Sequence, residues 1–201
     1  MKRLFVFSTI LFILCFFVGT SAKTSSVSKN STTANGDPGV YDSEYVHDEK
    51  VIIKKVTKLK DDQQAILLSG SFDQISDIIV ENELLKSFEN WRGTRYSWGG
   101  DSKSGIDCSA LTRRVYREVF EFELPRVSVD QAQKGAHIPR EELRPGDILF
   151  FRPENRVNHT AVYVGNSLFI NASSSQGVVL SSLDNKYWGK YFKYGVRISE
   201  K

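Results

Sequence analysis

Residues 105–116 read GIDCSALTRRVY, and the place of Cys108 within them governs how the rest of the chain is read. Asp107 is a residue type that caps helix N-termini, because its carboxylate accepts from the free N–H groups of the first turn. From there Leu111, Val115, Val119 and Phe122 recur at helical spacing, and Thr112, Arg113, Arg114, Arg117, Glu118 and Glu121 fall largely off that stripe. Pro125 is the expected stop. Cys108 therefore opens a helix, in line with Leu111 and Val115 on the face to be buried. Free N–H groups and the helix dipole favour negative charge there, which predicts a thiol pKa lowered from ~8.5 into roughly 3.5–7.5.

Upstream, Ile75, Ile78, Ile79, Leu85 and Phe88 predict another helix from Phe72 to Trp91, with Gly93 just past its end. The glycines of GTRYSWGG mark the loop between the two helices. Downstream the period changes. GDILFF, HTAVYVGN, SLFINAS, GVVLSS and YGVRIS are short, rich in β-branched and aromatic residues, and read as antiparallel strands. Helices first and strands after predict an α+β domain, with the helices packed on an antiparallel sheet. No internal repeat is visible.

A nucleophile on the helix face that meets the sheet needs its base on the sheet. Three histidines exist. His47 lies in a segment of open structure and reads as a solvated linker residue, and His137 sits among turn residues. His159 opens a strand, sharing a face with Ala161 and Tyr163. Asn171 is the candidate to orient it, and register decides whether it can. A two-residue turn at Gly165-Asn166 would set Asn171 opposite Thr160, on the wrong face. A three-residue turn over Gly165-Asn166-Ser167 would pair Ala161 with Asn171 and bring His159 and Asn171 within side-chain reach.

The N-terminus bears on the cysteine. Residues 1–22 show Lys2 and Arg3, an apolar run from Leu4 to Val18, and small residues up to Ala22, the layout of a cleaved secretory signal. A retained anchor is the alternative, although the run is short of the roughly 20 residues that span a bilayer. Cleavage would remove Cys15 and leave Cys108 unpaired. An odd cysteine in an exported chain is a reactive thiol, an intermolecular partner or a small buried hydrophobe. The formal charge of +3 falls to +1 without Lys2 and Arg3, which gives nucleic-acid binding no support. Residues 23–40 are rich in Ser, Thr, Asn and Gly and are expected to form a disordered tether. From 41 to 71 the sequence fits strand or helix equally, so the domain is drawn from Phe72 to Lys201.

Five ordered blocks carry a resemblance: GTRYSWGG, GIDCSALTRRVY, ELPR, LRPGDILFF and NHTAVYVGNSLFINAS. Together they resemble the NlpC/p60 family of cell-wall cysteine peptidases, above all its exported murein endopeptidases of the MepS (Spr) type, over about Ile75 to Ile198. The resemblance implies a papain-like NlpC/p60 fold with Cys108 as nucleophile, His159 as general base and acid, Asn171 orienting His159, and Tyr96 near the oxyanion. It implies peptidoglycan peptides as substrates, a periplasmic or cell-wall location, a monomer, and no metal or cofactor. Cross-link and stem-peptide bonds both fit. A catalytically inactive wall-binding or scaffold module is the alternative. Two positions depart from the family pattern. Asn171 stands where histidine is frequent, and Ala110 replaces the glycine of DCSG, with a methyl expected to narrow the approach to the thiol.

Overall fold

Asp48 and Ser71 each begin a helix for a local reason. The computed structural model describes residues 47–154 and 157–199. Residues 1–22 and 23–40, expected to be a signal and a tether, lie outside them. Asp48 accepts from the Val51 N–H at 3.2 Å and starts α1, Glu49–Ser69. Ser71 and Gln74 form a reciprocal capping box that starts α2, Phe72–Trp91. The segment left open by the sequence is thus largely helical. α1 buries Leu59 in the main core and is tied down by Lys55 to Asp184 at 2.6 Å and by the Asn166 amide to the Lys55 carbonyl at 2.9 Å. α2 joins the next helix through Ser87 and Trp91, which donate to Glu118 at 2.7 and 2.8 Å.

The glycine loop holds a small hairpin, β1 (Asp101–Ser102) and β2 (Gly105–Ile106), that leads into α3, Cys108–Phe120. α3 ends before the expected Pro125. Glu121 turns left-handed at φ 52°, which stops the helix and lets Phe122 fold back on Tyr116 and the main core. Short elements follow: α4 (Ser128–Gln131), β3 (Ala136–Ile138) and a 3-10 turn at Arg140–Glu142. Then come β4 (Ile148–Phe151), β5 (His159–Gly165), β6 (Leu168–Ser173), β7 (Gly177–Ser182), α5 (Lys186–Tyr191) and β8 (Phe192–Arg197). The sheet runs β3-β8-β4-β5-β6-β7 with every neighbouring pair antiparallel. The architecture is α+β, and all five expected strands are present. β1, β2, β3, α4 and α5 are too short to leave a period in the sequence.

Strand alternation gives the sheet two apolar faces. Ile148, Val162, Leu168, Ile170 and Val178 meet α2 and α3 in the main core. Leu149, Phe151, Ala161 and Phe169 meet Tyr187, Trp188 and Tyr191 around α5. On β5, Thr160 and Val162 face α3, and His159 and Ala161 face α5.

The β5–β6 register is reached by an unexpected route. The turn is two residues long, Asn166 and Ser167, both left-handed at φ 48° and 63°, and it pairs Gly165 with Leu168. A bulge at Val164 then absorbs one residue, so that Tyr163 pairs with Phe169 and Val162 with Ile170. Continued along the strands, that register sets Ala161 opposite Asn171, as the three-residue turn would have done.

Candidate active site

The site is built on a charged helix cap. Asp107 is buried, and both of its oxygens are saturated. Oδ1 accepts from the Ala110 N–H at 2.8 Å, Ser109 Oγ at 3.2 Å and Arg126 Nη1 at 2.9 Å. Oδ2 accepts from the Gly99 N–H at 3.0 Å and Arg126 Nη2 at 2.6 Å. Cys108 follows as the first residue of α3, with Thr112 Oγ1 donating to its carbonyl at 3.0 Å. Gln131 locks three elements together. Its amide N–H groups donate to the Ser109 and Pro125 carbonyls, each at 2.8 Å, and its oxygen accepts from Thr160 Oγ1 at 2.9 Å. Arg126 and Gln131 were missed as site residues. Their only signal was the need of a buried Asp107 for a cation, and that burial shows only in three dimensions.

The thiol departs from expectation. Burial pushes Cys108 up to about 11 and is the largest influence. The Thr160 N–H opposes it, the Asp107 charge adds to it, and the N–H groups of Ser109 and Cys108 oppose it more weakly. Desolvation thus outweighs the helix start, and the expected lowering is overturned. The thiol is protonated at neutral pH.

His159 lies beyond the same strand end. The Thr160 N–H that faces the sulfur belongs to the residue directly after it. The His159 ring is buried between Phe151 and Trp188, at centroid distances of 5.9 and 5.1 Å. Its Nε2 is 2.8 Å from Asn171 Oδ1, and Asn171 Nδ2 donates to Ser181 Oγ at 3.0 Å. An amide oxygen only accepts, so Nε2 carries the proton and Nδ1 has the lone pair. The other two histidines are elsewhere. His47 is half-buried at the start of α1, and His137, on edge strand β3, stacks on Tyr194 at 3.9 Å.

A cleft of about 480 Å³ opens onto Cys108, with walls from Trp98 and Gly99, from Arg126 to Val129, and from Val157 and Asn158. Tyr96 bridges Ile106 two residues before the cysteine and packs half-buried against the main core. Ala110 is fully buried there too, so its methyl faces the core and does not narrow the cleft as expected. Among the described residues no group of three His, Cys, Asp or Glu side chains is arranged to hold a metal ion, and no helix is long and apolar enough to cross a membrane.

The chain is similar to a set of known proteins. The profile of the NlpC/P60 family matches residues 93–197. An NlpC homologue of Haemophilus influenzae is 41% identical over 139 residues, covering 69% of this chain and 74% of its own. The murein DD-endopeptidase MepS/murein LD-carboxypeptidase of Escherichia coli K12 is 36% identical over 135 residues, covering 65% and 72%. Among solved structures, the NlpC/p60 domain of the peptidoglycan hydrolase SagA superposes with a TM-score of 0.51 at 27% identity, over 59% of this chain and 98% of that one.

Proposed function

The chain belongs to the NlpC/P60 family, and from that premise we propose that it is an exported thiol endopeptidase that hydrolyses amide bonds in peptidoglycan peptides. The observation that carries the chemistry is the Ser181–Asn171–His159 relay, which orients the imidazole as a general base would be oriented, with the proton on Nε2 and the lone pair on Nδ1. Cys108 Sγ attacks the peptide carbonyl as His159 Nδ1 takes the thiol proton. The oxyanion forms against the Cys108 N–H and the Tyr96 hydroxyl. The imidazolium then gives its proton to the amine nitrogen, the C–N bond breaks, and a thioester remains. Water, deprotonated by Nδ1, attacks the thioester, the C–S bond breaks, and the thiol is restored.

A thiol held near 11 fits general-base attack better than a standing thiolate–imidazolium pair. The murein DD-endopeptidase activity in the relative's name points to the same substrate class. Export rests on the sequence pattern of residues 1–22, with residues 23–40 as the tether.

The test is mass spectrometry of muropeptides from purified sacculi digested with the protein or with Cys108→Ala. Products that need Cys108 are the expected result, and their masses name the bond. Digests that both match untreated wall, with the protein still sedimenting on it, would replace the peptidase reading with a binding module. In the same assay Tyr96→Phe removes a single oxyanion donor and is expected to slow turnover by ~10²–10³. An unchanged rate would take Tyr96 out of the site.

A further inference from the structure

The cap that positions the nucleophile also creates an electrostatic difficulty. Asp107 fixes the first turn of α3, which places a carboxylate one residue from the sulfur that must become negative. The Asp107 charge raises the thiol pKa, in addition to the burial that dominates it. Arg126 meets Asp107 in a two-pronged pair, Nη1 to Oδ1 at 2.9 Å and Nη2 to Oδ2 at 2.6 Å. The same guanidinium donates to Ser109 Oγ at 2.9 Å and to the Gly100 carbonyl at 3.3 Å. Its side chain is 33% exposed and forms part of the cleft wall that also holds Cys108.

We propose that Arg126 is a positioning residue that acts through Asp107: it neutralises the helix cap, so that Cys108 attacks beside a neutral ion pair and not beside a bare carboxylate. The cap alone does not need it. Asp107 keeps the Ala110 and Gly99 N–H groups and the Ser109 hydroxyl as donors without any cation, enough to start α3. A guanidinium on top of a satisfied cap adds charge compensation where the chemistry requires it. Among the described residues, Asp107 and Arg126 are the charged side chains that line the cleft at the sulfur. His159 comes from β5, and Asp101 of β1, the next carboxylate out, is held by Arg113 and Arg114. α4 contributes the neutral Ser128 and Gln131, and the facing loops Trp98, Gly99 and Asn158.

The inference rests on Cys108 being the nucleophile, but its test reads thiol ionisation and not turnover. Alkylation of Cys108 by iodoacetamide in the full chain, followed by peptide mass spectrometry from pH 5 to 11, gives the rising limb of thiolate formation, whose displacement between variants reads the shift of the midpoint relative to wild type. The thiolate is the reacting form, so a higher midpoint means slower reaction at neutral pH. Arg126→Gln exposes the Asp107 charge and is expected to raise the midpoint by about one unit, a tenfold loss of rate at pH 7. Asp107→Asn, which still caps the helix, is expected to lower it. The double variant removes both charges and is expected to return close to wild type. Arg126→Lys keeps the charge without the fork and is expected to fall between wild type and Arg126→Gln.

A purely structural clamp would shift thermal stability and leave all four midpoints together, and that result overturns the proposal. If Arg126→Gln does not fold, Asp107→Asn decides alone: a lower midpoint supports charge compensation, and an unmoved or higher one ends it. Failure of the peptidase reading would look different, as ordered midpoint shifts with no Cys108-dependent muropeptides.

Discussion

His159→Ala is expected to lower kcat/KM on purified sacculi by ~10²–10⁴, the range for loss of a general base, and to fall near its upper end. The reason is the protonated thiol. With burial pushing Cys108 up to about 11, the thiol keeps its proton at neutral pH, so turnover depends on proton transfer to the imidazole. Later steps depend on it as well, because the leaving amine needs a proton and the deacylating water must lose one. Sedimentation with the wall should persist, since the cleft walls come from other residues. A variant that kept a tenth or more of wild-type turnover would show that another group carries the proton, and the assignment of His159 would fail.

Trp188→Ala is expected to cost about 3–5 kcal/mol, the range for a large aromatic removed from a packed interior. Trp188 is fully buried. Its ring meets Phe151 at 5.0 Å, Phe169 at 5.6 Å and Tyr187 at 5.0 Å, all edge-on, and His159 at 5.1 Å. It thus holds α5 to the sheet and walls the imidazole. Urea unfolding should show a lower midpoint with an unchanged slope. A loss under about 1 kcal/mol would mean that the aromatic cluster closes over the gap, against the range seen for such truncations. At temperatures where the variant stays folded, activity should fall too, because the His159 ring would have lost one of its walls.

The start of α3 was legible because its signals are local: a capping Asp107, then an apolar stripe within four turns of chain. The strands were legible from composition and period. α1 was not, and its burial explains why. It buries Leu59 and Gln63 and leaves Leu67 and Leu68 in solvent, with Leu68 82% exposed, so no clean apolar stripe is written along it. The thiol was misjudged for a different reason. A helix start is visible in sequence, but the loss of water around Cys108 depends on β5, α4 and the loop at Gly99 closing over it. The pair Arg126 and Asp107 spans 19 residues and becomes visible only when those same elements meet. Asn171 was legible only as a condition, since its usefulness to His159 depended on a register that residue types alone left open.

That register carries a consequence for how the activity can be inherited or lost. The imidazole and the amide share a face because Tyr163 pairs with Phe169, with Val164 bulged out ahead of the Asn166-Ser167 turn. Deletion of Val164 with the turn kept would remove the one residue that pairs with nothing, so Tyr163 would still meet Phe169 and the amide would stay on the face of the ring it orients. Deletion of the paired Phe169, with the turn and the bulge kept, would instead set Asn171 opposite Val162, on the other side of the sheet from His159. Of two single-codon gaps five positions apart, one would leave the ring and the amide in register and the other would silence the enzyme.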